Sequence, residues 1–185
     1  MSVPKKPTIE ISDFEYSRLA EFRYQIRKFL SFSQKAAEEN SIQPQQHQLL
    51  LAVRGVQKHT VPTIAVVAEL LQIRHHSAVE LVDRCIAEGL LVKSQDLDDR
   101  RKMILRITPR GQKILTELSW MHLEELRARG PKLIEALQST IEFASRNFPD
   151  NPDEKKNSKP ASLFTFRASR DEDVKSLRRT PKPKR

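Results

Sequence analysis

The chain has 185 residues, 38% of them hydrophobic and 31% charged, with a formal net charge of +9. That length accommodates one domain with extensions and a real core, in a composition typical of soluble globular chains. No apolar run approaches the roughly 20 residues needed to cross a bilayer. The opening MSVPKKPTIEISD lacks the apolar stretch of a secretory signal, and a single cysteine, Cys85, cannot form an internal disulfide. A cytoplasmic protein without a membrane partner is expected.

Residues 1–12 read as a short N-terminal arm. From Asp13 to about Asn40 the pattern is helical, with Leu19, Phe22, Ile26 and Phe29 at spacings of three and four. Pro44 suits the first turn of a second helix, whose apolar stripe is Leu49, Val53 and Val56. A short third helix is expected from Thr63, a capping residue after Pro62, to about Leu71, with Ile64, Val67, Ala68 and Leu71 facing inward. Gln72-Ile73-Arg74 then links tightly to a fourth helix, His75 to Glu88. Its inner positions read as Val79, Val82 and either Cys85 or Ile86, and Gly89 stops it.

Leu90 to Ser94 looks like a strand, and Met103, Leu105 and Ile107 alternate as a second one around the polar tip QDLDDRR. This is a β-hairpin. Thr108-Pro109 opens a long helix reaching about Gly130-Pro131, followed by a further helical segment with Leu133, Leu137 and Ile141. Beyond Phe143 the composition turns to Pro, Ser, Asn, Lys and Arg, which predicts a basic, mostly disordered tail over 146–185. From Ala144 onward there are 12 Lys/Arg against 6 Asp/Glu, so the remainder carries a net charge of only +3. Any DNA-binding face on the folded part must therefore come from local clustering.

Two short helices with a three-residue link can cross steeply and project the second into a major groove. Its opening residues would be Arg74, His75, His76 and Ser77, followed by Glu80 and Arg84. Arg74 can read guanine, and the first-turn N–H groups favour phosphate. Thr63 and Arg84 are expected at the DNA backbone, and Glu80 either accepts from cytosine or pairs with Arg84. The hairpin tip adds Arg100, Arg101 and Lys102, cations suited to the minor groove and its phosphates.

Other readings of these residues are weaker. His75 and His76 point about 100° apart on a helix and no cluster completes a metal site. Cys85 sits at a core position, where a structural thiol is commoner than a sensor. Trp120, Met121 and His122 could line a ligand pocket, although such residues more often pack between long helices. No nucleophile–base pair or phosphate-cradling loop stands out, so neither an enzyme nor a cofactor is expected.

In order, IQPQQHQLLLAV, ELLQIRHHSAVELVDR and DLDDRRKMILRITPRG resemble the MarR family of transcriptional regulators, over roughly Phe14 to Phe143. The fold this implies is mainly α with a small β-hairpin wing: a winged helix-turn-helix flanked by long N- and C-terminal dimerisation helices. The domain would span 13–145, with its DNA-binding part about 44–111. The resemblance implies a homodimeric regulator, usually a repressor, on a pseudo-palindromic operator of double-stranded DNA. It makes Arg101 the minor-groove arginine, oriented by Asp99, with Arg100 and Lys102 at the backbone. It also implies a small aromatic effector, near Phe22, Ile26, His47 and Trp120.

The chain departs from the family pattern at Cys85, where relatives usually have Leu, at Gln43 in place of a Thr or Ser cap, and in its basic tail. Two rival readings accompany this one: a largely non-specific or architectural DNA-binding protein driven by the tail, and a protein-interaction module that kept the fold.

Overall fold

In the computed structural model, residues 11–57, 60–96 and 103–147 are described. Among these described residues, five helices and one hairpin follow the order α1 (Asp13–Glu39), α2 (Pro44–Val56), α3 (Ile64–Leu70), α4 (His75–Ala87), β1 (Leu91–Gln95), β2 (Met103–Ile107) and α5 (Pro109–Asn147). The architecture is the mainly helical winged helix-turn-helix expected.

Local chemistry sets the boundaries. Ser12 and Glu15 close the start of α1, the Ser12 N–H donating to the Glu15 carboxylate at 3.1 Å. At α2, Pro44 occupies the first turn, and Gln46 supplies the cap that Gln43 was expected to lack. Its Oε1 accepts the Gln43 N–H at 2.7 Å, and its Nε2 donates to Glu88 at 2.7 Å, tying the start of α2 to the end of α4. The Thr63 hydroxyl accepts from the Val66 N–H at 3.4 Å, as its position predicted. Gln72 takes a left-handed φ of 52° in the link between α3 and α4, and Gly89 does so at 69° after α4. The Gly89 conformation costs glycine little, whereas at Gln72 the tight turn imposes it on a residue with a Cβ.

The core gathers Leu49, Leu50 and Val53 of α2, Val67 of α3, Leu81, Val82 and Cys85 of α4, Leu90, Leu91 and Leu105 of the hairpin, and Leu115 and Leu118 of α5. The hairpin pairs Leu91 with Ile107 through Gln95 with Met103. It is anchored to the start of α3, because the Leu105 N–H donates to the Pro62 carbonyl at 2.8 Å and Thr63 bridges Ile104.

Two expectations change. The inner stripe of α4 is Ala78, Leu81, Val82 and Cys85, and Val79 is only half-buried. Apolar residues at 78, 79, 81, 82, 85 and 86 permit either stripe, and packing against α2 selects the one containing Leu81. In addition, no break occurs at Gly130-Pro131: α5 is one helix of 39 residues. Pro131 lacks the N–H that would bond the Arg127 carbonyl, yet α5 lies against α1 on both sides of it. The Arg18 guanidinium donates to the Ser139 carbonyl at 2.8 Å beyond the proline, and Ser33 meets His122 at 2.8 Å before it.

Candidate nucleic-acid interface

Helix α4 starts without a side-chain cap on its first turn and has no acidic residue there. Its free N–H groups and positive dipole end therefore remain available to an anion. Arg74 holds the N-cap position, and Arg74, His75 and His76 are exposed while Ser77 is half-buried. Glu80, Asp83 and Arg84 continue the exposed side of the same helix. Arg84 and Glu80 do not form an ion pair. Both line a groove between α4 and α2, with Gln45, Gln48 and Ser77.

The hairpin is braced against this helix. The Lys93 Nζ of β1 donates to Asp83 of α4 at 2.5 Å, and across the hairpin the Arg106 Nε donates to Ser94 Oγ at 3.3 Å. The Asp83–Lys93 contact links the first wing strand to the exposed helix, and sequence reasoning missed it. A pair ten residues apart across a turn has no local signature. Asp99, Arg100, Arg101 and Lys102, the expected wing-tip contacts, lie outside the described residues, as do residues 148–185 of the expected tail. Thr63 caps α3 and bridges the wing strand, so its predicted place beside DNA coexists with a structural task.

The four residues expected around an effector do not gather. His47 is 3% exposed, Phe22 and Ile26 are half-buried on α1, and Trp120 is 67% exposed. Trp120 precedes His122 by two residues, about 200° around the helix, so the two rings take opposite sides. His122 faces inward instead. Its ring lies 4.8 Å from that of His47 and edge-on to Phe29 and Phe32, at 5.8 and 5.4 Å. Its Nδ1 is 2.6 Å from the Leu118 carbonyl, which can only accept, so Nδ1 carries the proton and Nε2 receives the Ser33 hydroxyl.

His47 Nδ1 is buried with no hydrogen-bond partner. Burial, reinforced by His122, pushes its pKa down from 6.5 to about 4. Cys85 is fully buried, and burial pushes its thiol up to about 12, which leaves a neutral packing group as its position implied.

Residues 40–102 match the MarR family model. A search of curated proteins finds no match. The fold is shared with AbsC, a MarR family transcriptional regulator from Streptomyces coelicolor, at a TM-score of 0.60 and 13% identity over 75% of this chain and 95% of that one. It is shared with a MarR mutant from E. coli complexed with operator DNA, at a TM-score of 0.52 and 15% identity over 72% and 99%. A mutant of S. aureus MepR bound to an oligodeoxyribonucleotide aligns at a TM-score of 0.50 and 19% identity over 74% and 96%. The matched segment spans α2, the helix-turn-helix and the first wing strand, and the chain shares the winged-helix fold of MarR family regulators.

Proposed function

We propose that the protein is a homodimeric transcriptional repressor that binds a pseudo-palindromic operator in double-stranded DNA. The observation that carries this reading is the uncapped, exposed start of α4, with Arg74, His75 and His76 at its tip and the wing linked to it through Lys93 and Asp83. Such a tip fits the major groove, with Arg74 and Ser77 within reach of base edges and Arg84 nearer the backbone. Glu80 then accepts from cytosine. The wing cations extend the contact into the minor groove, Arg101 inserted and Asp99 orienting it. Two proteins of the same fold, from E. coli and S. aureus, have been seen with DNA, which supports the reading. Release by a small aromatic effector is part of the same proposal, with Phe22, Ile26, His47 and Trp120 as its candidate contacts.

Replacing Arg101 with Ala tests the wing. Operator affinity is expected to fall by about 1–3 kcal/mol, the usual worth of a specific groove contact. Titration of a labelled operator fragment at fixed salt measures it, and an unchanged affinity removes Arg101 from the interface.

The dimer rests on a second observation. On the single chain, α1 and α5 leave Phe14, Leu19, Leu30, Trp120, Ile134 and Ile141 exposed. An apolar surface of this kind on two neighbouring helices fits a second copy of the chain, with two α4 helices about 34 Å apart on one face of DNA. The double substitution Leu137→Glu, Ile141→Glu leaves the core untouched, since both side chains are exposed. It is expected to give a folded monomer by sedimentation and to lower operator affinity at least about 100-fold, as each monomer holds one half-site. A variant that still sediments as a dimer rejects this face.

A further inference from the structure

We propose that the His47–His122 contact is a proton-operated joint, at which uptake of a proton loosens the winged body from the long helix pair and weakens its hold on DNA. The DNA consequence rests on the function proposed above; the joint itself rests on geometry. His47 belongs to α2, which packs with α4 through Leu49, Leu50, Val53, Leu81 and Val82, and that core continues into Leu115 and Leu118 at the start of α5. His122 belongs to α5 and is held by Ser33 of α1 and by Leu118. The two rings therefore meet where the winged body meets the α1–α5 pair.

The contact favours a neutral His47 ring. His47 Nδ1 is buried with nothing to accept from it, so a proton placed there is a donor without an acceptor beside a second imidazole. His122 is held at both ring nitrogens, by the Leu118 carbonyl and the Ser33 hydroxyl. Protonating His47 strains the contact between α2 and α5.

One turn along α5 from His122, half-buried Glu125 is paired with Arg129 at 3.2 Å. Lys35 and Glu38 of α1, Glu69 of α3, Arg84 of α4 and Arg106 of β2 are exposed. From α4, Glu88 is taken up by Gln46 and Cys85 is a neutral buried thiol. His122 is the one titratable group acting on His47. His75 and His76 are exposed at the start of α4.

Amide hydrogen exchange of the full-length protein at pH 7.5 and 5.0 tests the joint, with rates divided by intrinsic exchange at each pH. In the wild type, protection at Gln46–Leu50 and Leu118–His122 should fall up to about 25-fold, given a His47 pKa of about 4 closed and 6.5 open. Protection at Leu81 and Val82 should hold. In His47→Phe, which keeps a ring and loses the proton site, protection at the joint should change less than about threefold. His47→Gln serves if the phenylalanine variant does not fold. Operator affinity at constant ionic strength should follow the same pattern.

Equal loss of protection in wild type and folded variant overturns the proposal, and so does a wild type whose joint stays protected at pH 5.0. A protein that binds no DNA site at pH 7.5 contradicts the regulator reading, while the exchange data still decide the joint.

Discussion

Replacing Gly111 with Ala will destabilise the protein by about 2–3 kcal/mol, at the upper end of what overpacking costs. Gly111 lies in the first turn of α5, where the helix presses on the turn between α4 and β1. Its N–H donates to the Thr108 hydroxyl at 3.0 Å, and that hydroxyl donates to the Gly89 carbonyl at 2.7 Å. The Thr108 N–H in turn donates to the Leu90 carbonyl at 3.1 Å. A Cβ at position 111 would overlap the Leu90 carbonyl oxygen and stand 3.0 Å from Ile107 Cγ2. The obstacle is backbone held by its own hydrogen bond, so a rotamer change cannot relieve it. Urea unfolding measures the cost. Gly130→Ala is the control: nothing lies within 4 Å of a Cβ there, and alanine in a helix should be neutral or gain up to about 1 kcal/mol. A Gly111→Ala midpoint equal to the wild type would show that α5 does not seat on Leu90.

Acid should remove stability through His47. Its folded pKa of about 4 lies below the ordinary 6.5, mainly because burial disfavours the charged ring and secondarily because His122 is adjacent. Between those values the unfolded chain binds more protons than the folded one, so stability falls as pH falls. The contribution is fully present above pH 6.5, declines through the window, and levels off below about pH 4. The loss amounts to about 3 kcal/mol by pH 4. Unfolding curves for wild type and His47→Phe at pH 7.5 and 4.0 isolate it from carboxylate titration, which both share. If both proteins lose equal stability, His47 is not buried as a neutral ring.

The elements that could be read from sequence are those with local punctuation. Pro44, Thr63, Gly89 and Thr108-Pro109 mark four boundaries, and the structure has helices starting or stopping at each. The alternation of Met103, Leu105 and Ile107 located a strand because period two has one meaning at a half-buried surface. Where tertiary contact decides, sequence was silent or misleading. Gly130-Pro131 carries every local sign of a helix end, yet packing along α1 carries α5 through it. Val79 looked like an inner residue because the α4 pattern permits two stripes, and Leu81 took the place that sequence gave to it.

At the functional end the same division holds. The exposure of Arg74, His75 and His76 followed from their position before the apolar stripe, but the Lys93–Asp83 brace did not, since it joins two elements across a turn. Trp120 and His122 were read together as a candidate pocket lining, whereas only His122 makes the inward ring contact with His47. Only the rotation of α5 against α1 tells the two apart.

Selection of bound sites from random double-stranded DNA by the purified full-length protein tests the regulator reading most directly. The expected result is one enriched pseudo-palindrome, with half-sites centred about one helical turn apart. Substituting Arg74 and Ser77 together with Ala should erase the enrichment, while Asn147 and the residues beyond it can be deleted without changing the selected sequence. Recovery of unselected DNA, or loss of all binding with that tail deletion alone, would contradict the account.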